Sequence, residues 1–161
     1  MLPIRTILHP TNFSERSEHA FQAAFSLARD HGSRLVVAYV RAPTVVAYGE
    51  LGPIVPDPVQ TPDDVQGRVT ARHVLDPWVE VEYRVTDGEP SAEIVRLATA
   101  VNANLIVMGT HGRTGLSRLL MGNTAQSVLP RAHCPVLVVK PPRLKTAWTS
   151  RRASTGGQTV S

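Results

Sequence analysis

Five short apolar runs, at residues 4–8, 35–40, 79–85, 105–108 and 136–139, recur along the chain with amphipathic stretches between them. Strand-length runs alternating with helix-length stretches are the pattern of βα units feeding a parallel sheet. The 161 residues provide for one domain of ordinary size, and aromatics are only 5% of them. A core that is aliphatic and short of aromatics suits a layered α/β architecture better than a β-sandwich.

Local signals place the helices. Ser14 stands where an N-cap belongs, Ala20, Phe21, Ala24, Phe25 and Ala28 repeat with helical period, and Gly32 supplies the stop. Thr61, Pro62, Asp63 and Asp64 open a second helix, expected to run to about Leu75 before Asp76 and Pro77 end it. Pro90 opens a third, with Ile94, Leu97, Ala98 and Val101 on one face. A fourth starts near Gly122 and is cut short by Pro130. Residues 41–61 hold four prolines and two glycines and read as a long loop.

The strands differ among themselves. Val79, Val81, Tyr83 and Val85 alternate with Glu80, Glu82 and Arg84, which predicts an edge strand with one face partly in water. Trp78, just before it, is expected to be partly buried in the core. The runs at 35–40, 105–108 and 136–139 are almost wholly apolar, as in central parallel strands.

Charge and cysteine content exclude several classes. Of 17 basic residues, Arg143, Lys145, Arg151 and Arg152 fall in the last 21 positions, where no acidic residue occurs; the first 140 residues balance. A basic folded surface for nucleic acid is therefore not supported. No apolar run approaches the 18 or so residues of a membrane span, so no membrane partner is expected. Cys134 is the only cysteine, which points to a reducing, cytoplasmic home and, ahead of a strand, to a small apolar packing role. The histidines at 9, 19, 31, 73, 111 and 133 form no metal-ligand pair. From residue 141 the composition turns to Pro, Ser, Thr, Gly and Arg and predicts disorder. The expected organisation is a folded domain over 1–140 and a basic tail over 141–161.

The chemistry is concentrated between Met108 and Thr124, where a buried strand passes to a helix through a glycine-marked loop. Gly109 and Gly112 permit close backbone approach, and the N–H groups of Gly122, Asn123 and Thr124 open the fourth helix toward an anion. No Gly-Lys-Ser/Thr follows, and no G-x-G-x-x-G follows the first strand, so the Walker and dinucleotide fingerprints are absent. His111 has no nucleophile and acid placed to make it a catalyst and reads as a polar wall. Arg113 is within reach of phosphates; Arg118 reads as a solvated loop residue.

The spacing Gly109, two residues, Gly112, nine residues, Gly122 and then a small polar residue resembles the nucleotide-binding signature of the universal stress protein family, in its ATP-binding type. Ile7 to Glu15 is similar to that family's first strand and turn, and Cys134 to Lys140 to its last strand; the likeness spans about residues 4–140. The resemblance implies a single-domain, Rossmann-like, five-stranded parallel sheet in the order 3-2-1-4-5 with helices on both faces. Ligands bind such sheets beyond the strands' carboxyl ends, at the point where strand order reverses.

Carried over position by position, the likeness implies a nucleotide site. Gly109, Gly112, Gly122, Asn123 and Thr124 match the phosphate and ribose contacts, with His111 and Arg113 in the same loop. Met108 lies beside the ribose, and Val40, Pro10, Thr11 and Asn12 lie toward adenine. Two positions depart: the family usually has Asp where Asn12 stands and Ser or Thr where Asn123 stands. Asn12 keeps an acceptor oxygen and gains donors, with an effect on ribose or adenine selectivity. The ligand implied is ATP or another adenine nucleotide, with or without Mg2+, and the role is regulation in stress response. The likeness also implies a homodimer through the strand that starts at Val136 and ends at Lys140, which would cover an apolar edge. The alternatives are a slow nucleotide hydrolase or transferase using His111 with Arg113, and a nucleotide-free dimeric interaction module.

Overall fold

The computed structural model describes residues 3–42, 58–110 and 123–142. Among them, β1 (Thr6–Thr11), β2 (Arg34–Arg41), β3 (Val81–Asp87), β4 (Leu105–Gly109) and β5 (Val136–Val139) alternate with α1 (Glu15–His31), α2 (Pro62–Arg72), α3 (Pro90–Ala100) and α4 (Asn123–Val128). The strands form one parallel sheet in the order β3-β2-β1-β4-β5. The chain thus winds outward from β1 in one direction, returns, and winds outward in the other from β4.

The sheet is covered on both sides. Ile7, Leu35, Val37 and Val107 pack under Phe21, Ala24 and Ala28 of α1 and under Val65 and Val69 of α2. Leu8, Val36, Ala38 and Ile106 pack under Ile94, Leu97 and Ala98 of α3 and under Ala125 and Val128 of α4. Period-two alternation along β1 and β2 is what feeds two layers from one sheet. Ser14 caps α1 by accepting from the Ser17 N–H at 3.2 Å, and Gly32 ends it at φ +63°. That torsion is one an L side chain adopts only under strain.

β1 is longer at its carboxyl end than its apolar run, because it includes Pro10. Backbone groups in a parallel strand point alternately to the two neighbours. The Arg5 carbonyl bonds Arg34 at the start of β2, and the Thr6 carbonyl bonds Asn104 just ahead of β4, so Pro10 faces β4. The β1–β4 register ends at Leu8 with Ile106, whereas the β1–β2 register continues to Thr11 with Tyr39. The missing proline N–H therefore falls where β1 and β4 part, and it costs no ladder bond there.

β3 is an edge strand, as its alternation predicts. Glu82 lies between Arg34, at 3.1 Å, and Arg84, and so lines the solvent side of the edge with charge. The strand starts at Val81 rather than 79, because a tight turn precedes it. The Asp76 carbonyl accepts from the Val79 N–H at 3.1 Å and the Asp76 side chain accepts from the Trp78 N–H at 3.0 Å. That turn buries Val79 and points Trp78 outward; at 91% exposed, Trp78 is not the partly buried residue expected. α2 also stops early, at Arg72, where His73 turns to an extended conformation and packs its ring 4.5 Å from Phe21. Within the expected loop over 41–61, residues 43–57 lie outside the described residues, but Val59 is a fully buried core residue.

Candidate functional site

The strand order sets the site. Beyond Leu8 the two middle strands separate, and a hollow of about 140 Å³ opens over their carboxyl ends. Its lining is apolar at Pro10, Val40, Met108, Pro90 and Ile94 and polar at Thr11, Asn12, Ser17, Gly109 and Thr124. An apolar slot beside a cluster of neutral polar groups suits a flat heterocycle joined to a polar or anionic group.

The polar side is built from the β1–α1 turn. Asn12 Oδ1 accepts from the Ser14 N–H at 3.0 Å and from the Ser14 hydroxyl at 2.6 Å. Thr11 Oγ1 accepts from the Phe13 N–H at 3.1 Å and lies 3.0 Å from Ser17 Oγ, which in turn accepts from the Asn12 N–H at 3.3 Å. Phe13 sits at φ +59°, a left-handed torsion that is strained for a bulky side chain. Three contacts hold it there. The Arg68 guanidinium lies 5.0 Å from the ring centroid, Tyr39 is 5.6 Å away, and Arg72 donates to the Phe13 carbonyl at 3.2 Å.

Seven of the residues expected from sequence meet at this hollow: Pro10, Thr11, Asn12, Val40, Met108, Gly109 and Thr124. Asn123 opens α4 but is exposed and does not line it. His111, Gly112, Arg113 and Gly122 lie outside the described residues. Ser17, Pro90 and Ile94 were not anticipated. Ser17 carried a signal, standing three residues after the N-cap serine on the first turn beside the crevice. Gly109 also has a second reason to be glycine. A Cβ there would stand 3.0 Å from the Arg16 carbonyl oxygen, so its bare Cα lets the first turn of α1 lie against β4.

His9 lies below the hollow on the α1 side of β1, fully buried. Its Nδ1–H donates to the Val107 carbonyl at 2.9 Å, and burial pushes its pKa down to about 4, so the ring is neutral near pH 7. A second and larger hollow, about 740 Å³, opens at the amino ends of the strands, between Arg5, Asn104, His133 and Cys134. Its Asn104 Oδ1 is occupied by the Arg5 and Thr6 N–H groups, and burial raises the Cys134 thiol above its ordinary pKa. Size favours this second hollow. Placement favours the first, since ligands of open α/β sheets sit at the carboxyl ends where the order reverses. Among the described residues there is no cluster that would hold a metal ion, and no helix is long and apolar enough to cross a membrane.

A parallel sheet wound both ways from its middle, with a crevice at the β1–β4 switch, defines a Rossmann-like α/β protein. Residues 3–140 match the model of the universal stress protein family, and the chain belongs to that family. It is 33% identical over 142 residues to a universal stress protein of Methanocaldococcus jannaschii, covering 86% of this chain and 84% of the relative. The universal stress protein UspA from Lactobacillus plantarum shares the fold with a TM-score of 0.67 at 22% identity, over 86% of this chain and 99% of that one. A universal stress protein solved in complex with cAMP does so with a TM-score of 0.61 at 24% identity, over 88% of this chain and all of that one.

Proposed function

We propose that this universal stress protein binds an adenine nucleotide, ATP, ADP or AMP, in the hollow over β1 and β4, and that occupancy regulates its partners in a stress response. One observation carries the reading: a crevice at the switch point in which apolar groups adjoin polar ones, lined by seven residues that the family resemblance carries over to a nucleotide site. A cAMP complex in a protein of the same fold supports an adenine ligand. The base lies in the slot between Val40, Met108 and Ile94. The phosphates extend toward Thr124 at the start of α4, and the family resemblance assigns His111, Gly112, Arg113, Gly122 and Asn123 to the same ligand. Mg2+, where it accompanies the nucleotide, would neutralise charge on the phosphates. The folded unit is residues 1–140, with 141–161 as a basic tail, and its compartment is the cytoplasm.

Thermal unfolding with and without nucleotide and Mg2+ tests this. A ligand at about 100 times its Kd adds about 2.7 kcal/mol, a shift of several degrees for a domain of this size. Gly112→Val abolishes that shift. No shift with ATP, ADP or AMP removes the nucleotide reading and leaves a nucleotide-free interaction module.

The same reading includes a homodimer through β5 and Lys140. β5 is an apolar edge with Leu137 41% exposed, without the charges that guard β3. Light scattering reads a dimer for the wild-type chain and a monomer for Leu137→Lys; a wild-type monomer at micromolar concentration overturns it.

A further inference from the structure

Two non-glycine residues among the described ones hold a left-handed torsion, Phe13 at φ +59° and Asn102 at φ +52°. Asparagine enters that region readily, whereas a bulky side chain is strained there and stays only where surrounding contacts outweigh the strain. At Phe13 those contacts come from the far half of α2. The Arg68 guanidinium stands over the ring, and Arg72 Nη1 donates to the Phe13 carbonyl at 3.2 Å and to Glu18 Oε1 at 2.6 Å. The other oxygen of Glu18 accepts from His73 Nε2 at 2.5 Å, so the end of α2 grips Phe13 and the first turn of α1 together. α2 has its own footing, with Val65 and Val69 buried in the core and a capping box at Thr61 and Asp64.

The torsion at Phe13 reaches the hollow through two hydrogen bonds. Its own N–H is bonded to Thr11 Oγ1, and the next N–H, at Ser14, to Asn12 Oδ1. Both acceptors belong to residues that line the hollow, while no described residue of α2 does. Relaxation of Phe13 to a negative φ would swing the peptide between Phe13 and Ser14. That movement would part the Ser14 N–H from Asn12 Oδ1 and carry off the carbonyl that Arg72 holds. Asn12 would then lose the bond that orients it.

Resting on the nucleotide reading above, we infer that Arg72 is a positioning residue: it raises the affinity of a hollow it does not line, by holding Phe13 in the conformation that orients Asn12. The effect is local. The Arg72 side chain is 46% exposed, and an ion pair so placed adds little to global stability, so its removal is felt in binding more than in unfolding. Arg72 acts through the shape of the turn, so a neutral ligand and an anionic one respond to it alike. By linkage the relation runs both ways, and an occupied hollow tightens the hold of α2 on the turn.

The test is calorimetric titration of AMP and adenosine on the wild type, Arg72→Met, Phe13→Asn and the double variant. Methionine keeps an unbranched stem and drops the guanidinium; asparagine accepts the left-handed torsion without a clamp. Arg72→Met is expected to weaken both ligands by a similar factor, on the order of fivefold. Once Phe13 is asparagine, the same substitution should change either affinity by less than about twofold. Unchanged binding, equal losses in the two backgrounds, or a loss confined to AMP, which reports charge alone, overturns the inference. If the wild type binds neither ligand, the nucleotide reading fails on its own and the turn still decides. In the free protein the Ser14 amide should exchange with deuterated solvent faster in Arg72→Met than in the wild type, and Arg72→Met should have no such effect in the Phe13→Asn background. A rate that Arg72→Met leaves unchanged overturns the inference. Should Phe13→Asn not fold, Phe13→Gly, which frees the same torsion, is read against the same outcomes.

Discussion

The two halves of β1 belong to one six-residue strand and meet different surroundings. From Thr6 to His9 the strand is sealed, with Ile7 and His9 toward α1 and Leu8 toward α3. Two residues further on, β4 is no longer paired, proline brings no N–H, and the strand opens into the hollow with its side chains tied to the start of α1. A strand at a switch point therefore changes role by losing one neighbour, without changing its conformation. Substitutions in the lower half should appear as lost stability, and those in the upper half as lost binding.

The sharpest way to test that division is Leu8→Ala. Leu8 is fully buried, and such truncations cost about 2–5 kcal/mol; denaturant unfolding should show that loss, while any nucleotide-induced shift persists below the new midpoint. Next is acid. His9 is held neutral in the fold down to about pH 4, whereas in the unfolded chain it protonates near its ordinary 6.5. Between those values the unfolded state binds more protons. Stability is thus complete above pH 6.5 and falls as pH drops toward 4, by up to about 3 kcal/mol. Denaturant melts across this window should show that slope in the wild type and a flatter one in His9→Asn.

Ser14→Ala crosses the division. It removes the α1 cap, at a cost of about 1 kcal/mol, and frees Asn12 Oδ1, so unfolding and ligand titration should both record a loss; a change in only one would separate turn from hollow. The smallest effect is expected from Thr124→Ala. It should leave stability within about 0.5 kcal/mol while reducing the nucleotide-induced shift. A larger loss of stability would mean that the start of α4 supports the core as well as the hollow.

Much of the fold was legible because its signals are local. The Ser14 cap, the Gly32 stop and the charged alternation of β3 each follow from a few neighbouring residues, and the structure carries all three. What escaped depends on packing across the chain. Val59 fills the core from a stretch rich in proline, Trp78 is turned outward by a bond that Asp76 makes, and His73 leaves α2 to meet Phe21 and Glu18. The site divides in the same way. Pro10 to Asn12 and Met108 to Gly109 were readable because strand ends at a reversal point are where ligands sit. Pro90 and Ile94 arrive from a different crossover, and only the folded position of α3 brings them to the slot.

The oxygens that shape the hollow are also those that begin α1, so filling the one and fraying the other form a single equilibrium. The Ser17 and Glu18 amides are bonded to the Ser14 side chain and carbonyl, and their exchange with deuterated solvent reports opening of that first turn. A molecule resting in the hollow slows that exchange by the factor with which it favours the closed turn. The Ser33 amide, bonded to Ala28 at the far end of the helix, keeps its own rate, and occupancy becomes visible as a gradient of protection along α1.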